Sequence, residues 1–374
     1  MAEMEMALDV PILEDKELDA LRIIRHQSFC PELSRTRPKI HRRRPDFCGA
    51  CAVQDIKEIL LAAAENSSME LARRVLSQGA CPNGGTSERR PLCLAVEKGH
   101  TQLVWCLVDA GADKDLPDTT VPQQSPLILA ARFEHPQLLR FLLDVGADVH
   151  QLDTSRRSAL SFAAEHGDFA MVKMLLEAGA AVEVIDDAGS SPLSLAAEQG
   201  HRQVVWCLVD AGADKDRRDG SDMSPLCRAA ERGHFEVVRF LVDVAVDVRE
   251  VCAGRQPLHW AMESGQLSIV RFLVQSEAGL EERDHQGQTP LSLAAQKGHY
   301  QIVSFLVDAG ANRDSTDHQK RSPLWWAVQN GHATVARFLI DVGARVDCAD
   351  AMGQTPLSCA VAWRERDGKG IGIL

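Results

Sequence analysis

The residues with the most chemical promise lie near the start of the chain. Cys48 and Cys51 form a C-x-x-C pair, with Cys30 and His41 upstream. Thiolate and imidazole are ligands that suit zinc, so these four residues compose a candidate tetrahedral site. The same pair is also the minimal dithiol of a redox centre. Their setting argues against both readings: the spacings are irregular, no second close pair follows, and no strand–helix–strand pattern flanks the motif. No cofactor is expected. Elsewhere the chain has no glycine-rich phosphate loop after a strand, no H-E-x-x-H and no nucleophile elbow. Its histidines recur in Gly-His dipeptides at 99–100, 200–201, 233–234, 298–299 and 331–332, and such regular placement marks a structural role. The expected class is non-enzymatic.

The elements behind this regularity are clearest between Thr289 and Asp314. Thr289 is a good N-cap, and Pro290 suits the first helical position, where no N–H is needed. Leu291, Leu293, Ala294 and Ala295 give a lean apolar face before Gly298 ends the helix. A second helix follows with Ile302, Val303, Phe305, Leu306 and Val307, and Gly310 stops it. Helices this short are unstable alone in water, so the unit requires neighbours of its own kind.

The chain supplies them. The motif's proline recurs as Pro91, Pro126, Pro192, Pro225, Pro257, Pro290, Pro323 and Pro356, with Ala159 in its place once, at steps of 32 to 35 residues. That period specifies a solenoid in which each unit buries its apolar face on the next. An Asp recurs six residues earlier (Asp153, Asp186, Asp219, Asp284, Asp317, Asp350), and Gly189, Gly254, Gly287 and Gly353 supply turns. With Thr-Pro-Leu, Leu-Ala-Ala, Gly-His and Gly-Ala at fixed offsets, residues 55–363 resemble the ankyrin repeat family. The fold class expected is all-α, an ankyrin-type helix-turn-helix solenoid with β-hairpin-like turn tips. About eight full units are expected, plus a degenerate N-terminal and a truncated C-terminal unit. Only His259 keeps the family's histidine after Pro-Leu.

Composition argues against two other classes. The formal charge of −12 argues against general nucleic-acid binding, which wants a basic face. No apolar run approaches the about 20 residues of a membrane span. The N-terminus lacks the order of a secretory signal, so the eleven cysteines read as reduced thiols in cytoplasm or nucleus. Residues 1–54 form a leader, with an amphipathic helix expected over Pro11–His26. A basic segment at 35–44 reads either as a solvated arm or as a nuclear-import or acidic-partner peptide. Residues 364–374 form a tail.

Three departures from the pattern carry further expectations. Trp105 and Trp206 occupy a slot that should face solvent. Ala245 and Glu277 stand where other units end their second helix with glycine, which makes residues 225–285 the expected soft joint. Arg228 fills a core leucine slot and needs an acid or a route to solvent.

The resemblance implies a function as a protein-binding scaffold or adaptor, with a groove formed by the tips and the exposed end of each first helix. Its tip residues would be Asp187, Ser190, Ser221, Met223, Arg255, His285, Gln286, Gln288, His318, Gln319 and Arg321. Its helix residues would be Glu165, His166, Glu198, Gln199, Glu231, Arg232, Gln296, Lys297, Gln329 and Asn330. An acidic chain favours a basic or mixed-charge partner. The alternative is a regulatory or targeting fragment of a larger enzyme or signalling chain.

Overall fold

A computed structural model describes residues 54–84, 89–119 and 122–367. The leader helix, the basic segment, and Cys30, His41, Cys48 and Cys51 lie outside these residues. The described residues are helical, with nineteen helices and only an isolated bridge, Cys252 to Arg255, in extended pairing. They fall into two compact units divided between Thr154 and Ser155.

The first unit opens with α1 (Gln54–Glu65) and α2 (Met69–Ser77). Two helix pairs follow: α3 (Pro91–Glu97) with α4 (Thr101–Asp109), and α5 (Pro126–Arg132) with α6 (Pro136–Asp144). Adjacent pairs are tied by histidine. His100 and His135 place Nε2 3.3 and 3.2 Å from the carbonyls of Glu65 and Glu97 in the pair before.

The second unit stacks six pairs and a last single helix. The pairs are α7 (Ala159–His166) with α8 (Phe169–Glu177), α9 (Pro192–Gln199) with α10 (Arg202–Asp210), and α11 (Pro225–Arg232) with α12 (Phe235–Asp243). They continue with α13 (Pro257–Ser264) and α14 (Leu267–Gln275), α15 (Pro290–Lys297) and α16 (Tyr300–Asp308), and α17 (Pro323–Gln329) and α18 (Ala333–Asp341). The last helix, α19 (Pro356–Asp367), runs beyond residue 363 into the segment expected as tail.

The sequence signals act as their chemistry requires. The hydroxyls of Ser158, Ser191, Ser224, Thr289 and Ser322 each accept the N–H three residues on, at 3.2–3.4 Å, which satisfies a donor that the helix start leaves free. The lean faces let first helices approach closely: Ala196, Ala197, Ala294 and Ala295 are 0% exposed. Each second helix buries a triplet such as Ile302, Val303 and Leu306. Where Gly310 takes φ +94 after α16, Ala245 and Glu277 adopt φ 63 and 66, so the two exceptions keep the left-handed geometry without glycine.

Candidate protein-binding surface

All but one of the tips of the second unit are built around one carboxylate each. Oδ1 of Asp284 accepts the N–H groups of Gln286 at 2.9 Å and Gln288 at 2.8 Å, while the Asp284 N–H donates to the Gln288 carbonyl at 3.0 Å. Asp186, Asp219, Asp317 and Asp350 repeat the arrangement. This is the physical reason for an Asp six residues before the proline: a short acceptor satisfies the turn amides and fixes a hairpin without a strand. Successive tips join through single backbone bonds. The N–H groups of Asp187, Gly220, His285, His318 and Ala351 donate to the carbonyls of Ser155, Ala188, Gly254, Gln286 and Gln319, at 2.8–3.2 Å. Gly287 is required here, because it holds φ +78 and a Cβ would lie 2.9 Å from the His318 backbone nitrogen.

Above this ladder, Asp187, Ser221, His285, Gln286, His318 and Gln319 are exposed, as are Gln199, Arg232, Lys297 and Asn330 on the first helices. Ser190, Glu198, Glu231, Gln296, Gln329, Arg255 and Arg321 are half-buried, like Glu165 and His166. Two expected tip residues are not at the surface. Met223 is 3% exposed and Gln288 is 1% exposed. Both occupy the slot two residues before the proline, which turns inward onto the first helix. Met223 packs with Cys227 and Cys252, and the Gln288 amide donates to Oε1 of Gln296 at 3.1 Å.

That inward slot holds a feature the sequence reading missed. Arg157, Arg255 and Arg321 sit there, and five residues on stand Phe162, Trp260 and Trp326. Each guanidinium lies over its ring, 3.9, 5.1 and 4.1 Å from the centroid. Carboxylates complete the packing. Arg157 pairs with Glu165, Arg255 with Glu263 at 3.1 Å and Asp284 at 3.5 Å, and Arg321 with Asp317 at 2.8 Å. The signal was present as an Arg that coincides with an aromatic five residues later. Arg255 and Arg321 therefore hold the scaffold together, since a stacked and paired guanidinium is costly to withdraw.

The first-helix acids are similarly engaged. Glu198 pairs with Arg232 at 2.6 Å, and Glu263 pairs with Lys297. Burial raises the Glu263 carboxyl, but Lys297 and Arg255 outweigh it and hold the group below its ordinary range. Arg228 donates to Oδ2 of the buried Asp219 at 2.8 Å and reaches Glu231 at 3.4 Å, so the misplaced charge in the core slot is neutralised. Burial disfavours its charged form, but Asp219, Glu198 and Glu231 together outweigh that, for a net rise. The outward tryptophans are as expected, with Trp105 50% and Trp206 47% exposed, whereas Trp325 and Trp326 are buried.

Three of the Gly-His histidines are structural, as their spacing implied. Nε2 of His201, His234 and His332 lies 2.8–3.0 Å from the carbonyls of Glu165, Glu198 and Gln296. His259 is fully buried, with Nδ1 accepting the Gln256 N–H at 3.3 Å and Nε2 3.1 Å from the Glu282 carbonyl. Burial depresses its basicity. Among the described residues no group of three His, Cys, Asp or Glu side chains is placed to hold a metal ion, and no helix is long and apolar enough to cross a membrane.

Comparison with known proteins agrees with this geometry. The family model for ankyrin repeats (3 copies) matches residues 127–219, 212–284 and 291–368, together more than half of the chain. Comparison with curated proteins finds no match. Capped helix pairs, Asp-clamped tips joined in a ladder, and the family match lead to one assignment: the chain belongs to the ankyrin repeat family.

Proposed function

We propose that the chain is a scaffold or adaptor that binds another protein through the tips and first-helix ends of the 155–367 unit. Ankyrin repeats are generally protein–protein interaction modules and are typically non-catalytic. The observation that carries the reading is the division of labour at the tips. Asp284 and Asp317 and the backbone ladder hold the turns, which leaves His285, Gln286, His318 and Gln319 exposed on a fixed frame. Polar side chains held this way meet a partner at small conformational cost. Asp187, Ser221, Gln199, Arg232, Lys297 and Asn330 extend the surface, with Ser190, Glu198, Glu231, Gln296 and Gln329 at its half-buried floor. Acids at the floor, cations at Arg232 and Lys297, and the net charge of −12 favour a basic or mixed-charge protein partner, met in the cytoplasm or nucleus.

The test is affinity capture with the full chain beside a variant carrying His285→Ala, Gln286→Ala, His318→Ala and Gln319→Ala, read by mass spectrometry. The ladder bonds at these positions are made by backbone, so alanine leaves the frame intact. A partner that the variant loses supports the surface. A partner that the variant retains, and that deletion of residues 1–53 loses, moves the function to the leader.

A further inference from the structure

Met223, Cys227 and Cys252 form a buried sulfur cluster in the second unit, with Trp260 packed against it. Cys227 lies on α11 and Cys252 in the next tip, and both are 0% exposed free thiols. Ser224 holds them together. Its hydroxyl accepts the Cys227 N–H at 3.4 Å and receives the Cys252 thiol at 3.3 Å. Both cysteines thus meet at one hydroxyl inside the same packed cluster.

The tip that carries Cys252 differs from the others. Val251 stands where most units place the clamping Asp, and the turn is closed by reciprocal backbone bonds between Cys252 and Arg255, at 2.8 and 3.0 Å. Ala253 takes φ 49, which disfavours a residue with a Cβ, and its N–H reaches Oδ2 of Asp222 at 2.9 Å. Val251 and Ala253 are exposed on either side of the buried thiol. A small opening of this turn therefore uncovers Cys252.

We propose that Cys227 and Cys252 form a reversible disulfide that fastens this tip onto the first helix of the preceding pair. The oxidant is a peroxide, small enough to follow an opening of the turn. The Cys252 thiolate attacks one oxygen of hydrogen peroxide, the O–O bond breaks, and hydroxide leaves with the electron pair to give a sulfenic acid at Cys252. Cys227 sulfur then attacks the Cys252 sulfur and the S–O bond breaks. The leaving hydroxide takes the Cys227 proton, so two thiols and one peroxide become one disulfide and two waters. The order of attack follows position: Cys252 lies in the turn that opens, between exposed Val251 and Ala253, whereas Cys227 is fixed on α11. Disulfides of reduced compartments are transient and regulatory, which fits a bond at the joint where Ala245 and Glu277 also depart from glycine. This inference is independent of which partner the tips bind.

The test treats the reduced full chain with hydrogen peroxide, traps free thiols with N-ethylmaleimide under denaturing conditions, and analyses a tryptic digest without reductant. The expected result is loss of the alkylated peptides 219–228 and 250–255 and appearance of the two linked, reversed by reductant. Cys93 serves as the control: it is buried in the same helix slot, donates to the Leu116 carbonyl at 3.6 Å and should stay alkylated. In Cys252→Ser, Cys227 should also remain alkylated. The wild-type digest decides alone if that variant does not fold. Sulfoxide at Met223 with both thiols still alkylated overturns the proposal, as does linkage of either thiol to a different cysteine.

Discussion

At the residue scale, the buried carboxylate of Asp317 shows how much one short side chain carries. Oδ1 accepts the N–H groups of Gln319 and Arg321, and Oδ2 pairs with the guanidinium that stacks on Trp326. Asp317→Ala strands two turn amides and a half-buried guanidinium, so it should cost about 3 kcal/mol. Asp317→Asn keeps the acceptor and loses the charge, and should cost about 1 kcal/mol. Urea unfolding midpoints of the two variants check the order. His259 gives a pH test. Burial lowers its folded pKa below the ordinary 6.5, so below that value the unfolded chain binds more protons than the native one. Stability is therefore full above about pH 6.5 and is lost as pH falls through the folded pKa. His259→Gln should flatten the fall in urea midpoint between pH 7.5 and pH 5.5; an unchanged slope would remove this cause. The recurrent Asp was legible in the sequence because its position never shifts. The burial of Met223 and Gln288 was not, because polar residues and methionine vary in that slot as surface residues do, and only contact with Cys227 or Gln296 shows which way it points.

At the element scale, helix starts and stops were readable because each rests on local chemistry: a hydroxyl before Pro, and glycine where φ is positive. The sites that broke the pattern were readable too. Ala245 and Glu277 keep the left-handed geometry of the glycines they replace, and their carbonyls accept from Lys215 at 3.2 Å and Arg249 at 2.8 Å. Glycine preserves those carbonyls, so Ala245→Gly and Glu277→Gly should each stabilise by about 1 kcal/mol. Urea midpoints that fall instead would show that side-chain contacts outweigh the backbone strain. We propose that residues 225–285 are the least protected part of the second unit. Hydrogen exchange as slow there as at 190–215 would contradict this. The tip at 252–255 was not legible, since its clamp comes from Asp222 in the tip before it rather than from its own missing Asp. Nor was the extent of α19, because its end lacks the Gly-His stop that the other units present.

At the scale of the whole molecule, repetition made the fold legible, since a period kept over many units leaves few architectures open. The binding surface was legible only in part. Tolerance and recognition both produce variable exposed residues, and only the bonding of the frame separates side chains that hold the stack from those left free to meet a partner. By that criterion Arg255 and Arg321 belong to the frame, and His285, Gln286, His318 and Gln319 to the surface. The most direct measurement is a hydrogen-exchange footprint of the full chain with and without the partner that it captures. Slower exchange at 285–288 and 318–321, with the outward face of α10 around Trp206 unchanged, is the result predicted. Protection confined to that outward face, with the tips exchanging as in the free chain, would contradict it.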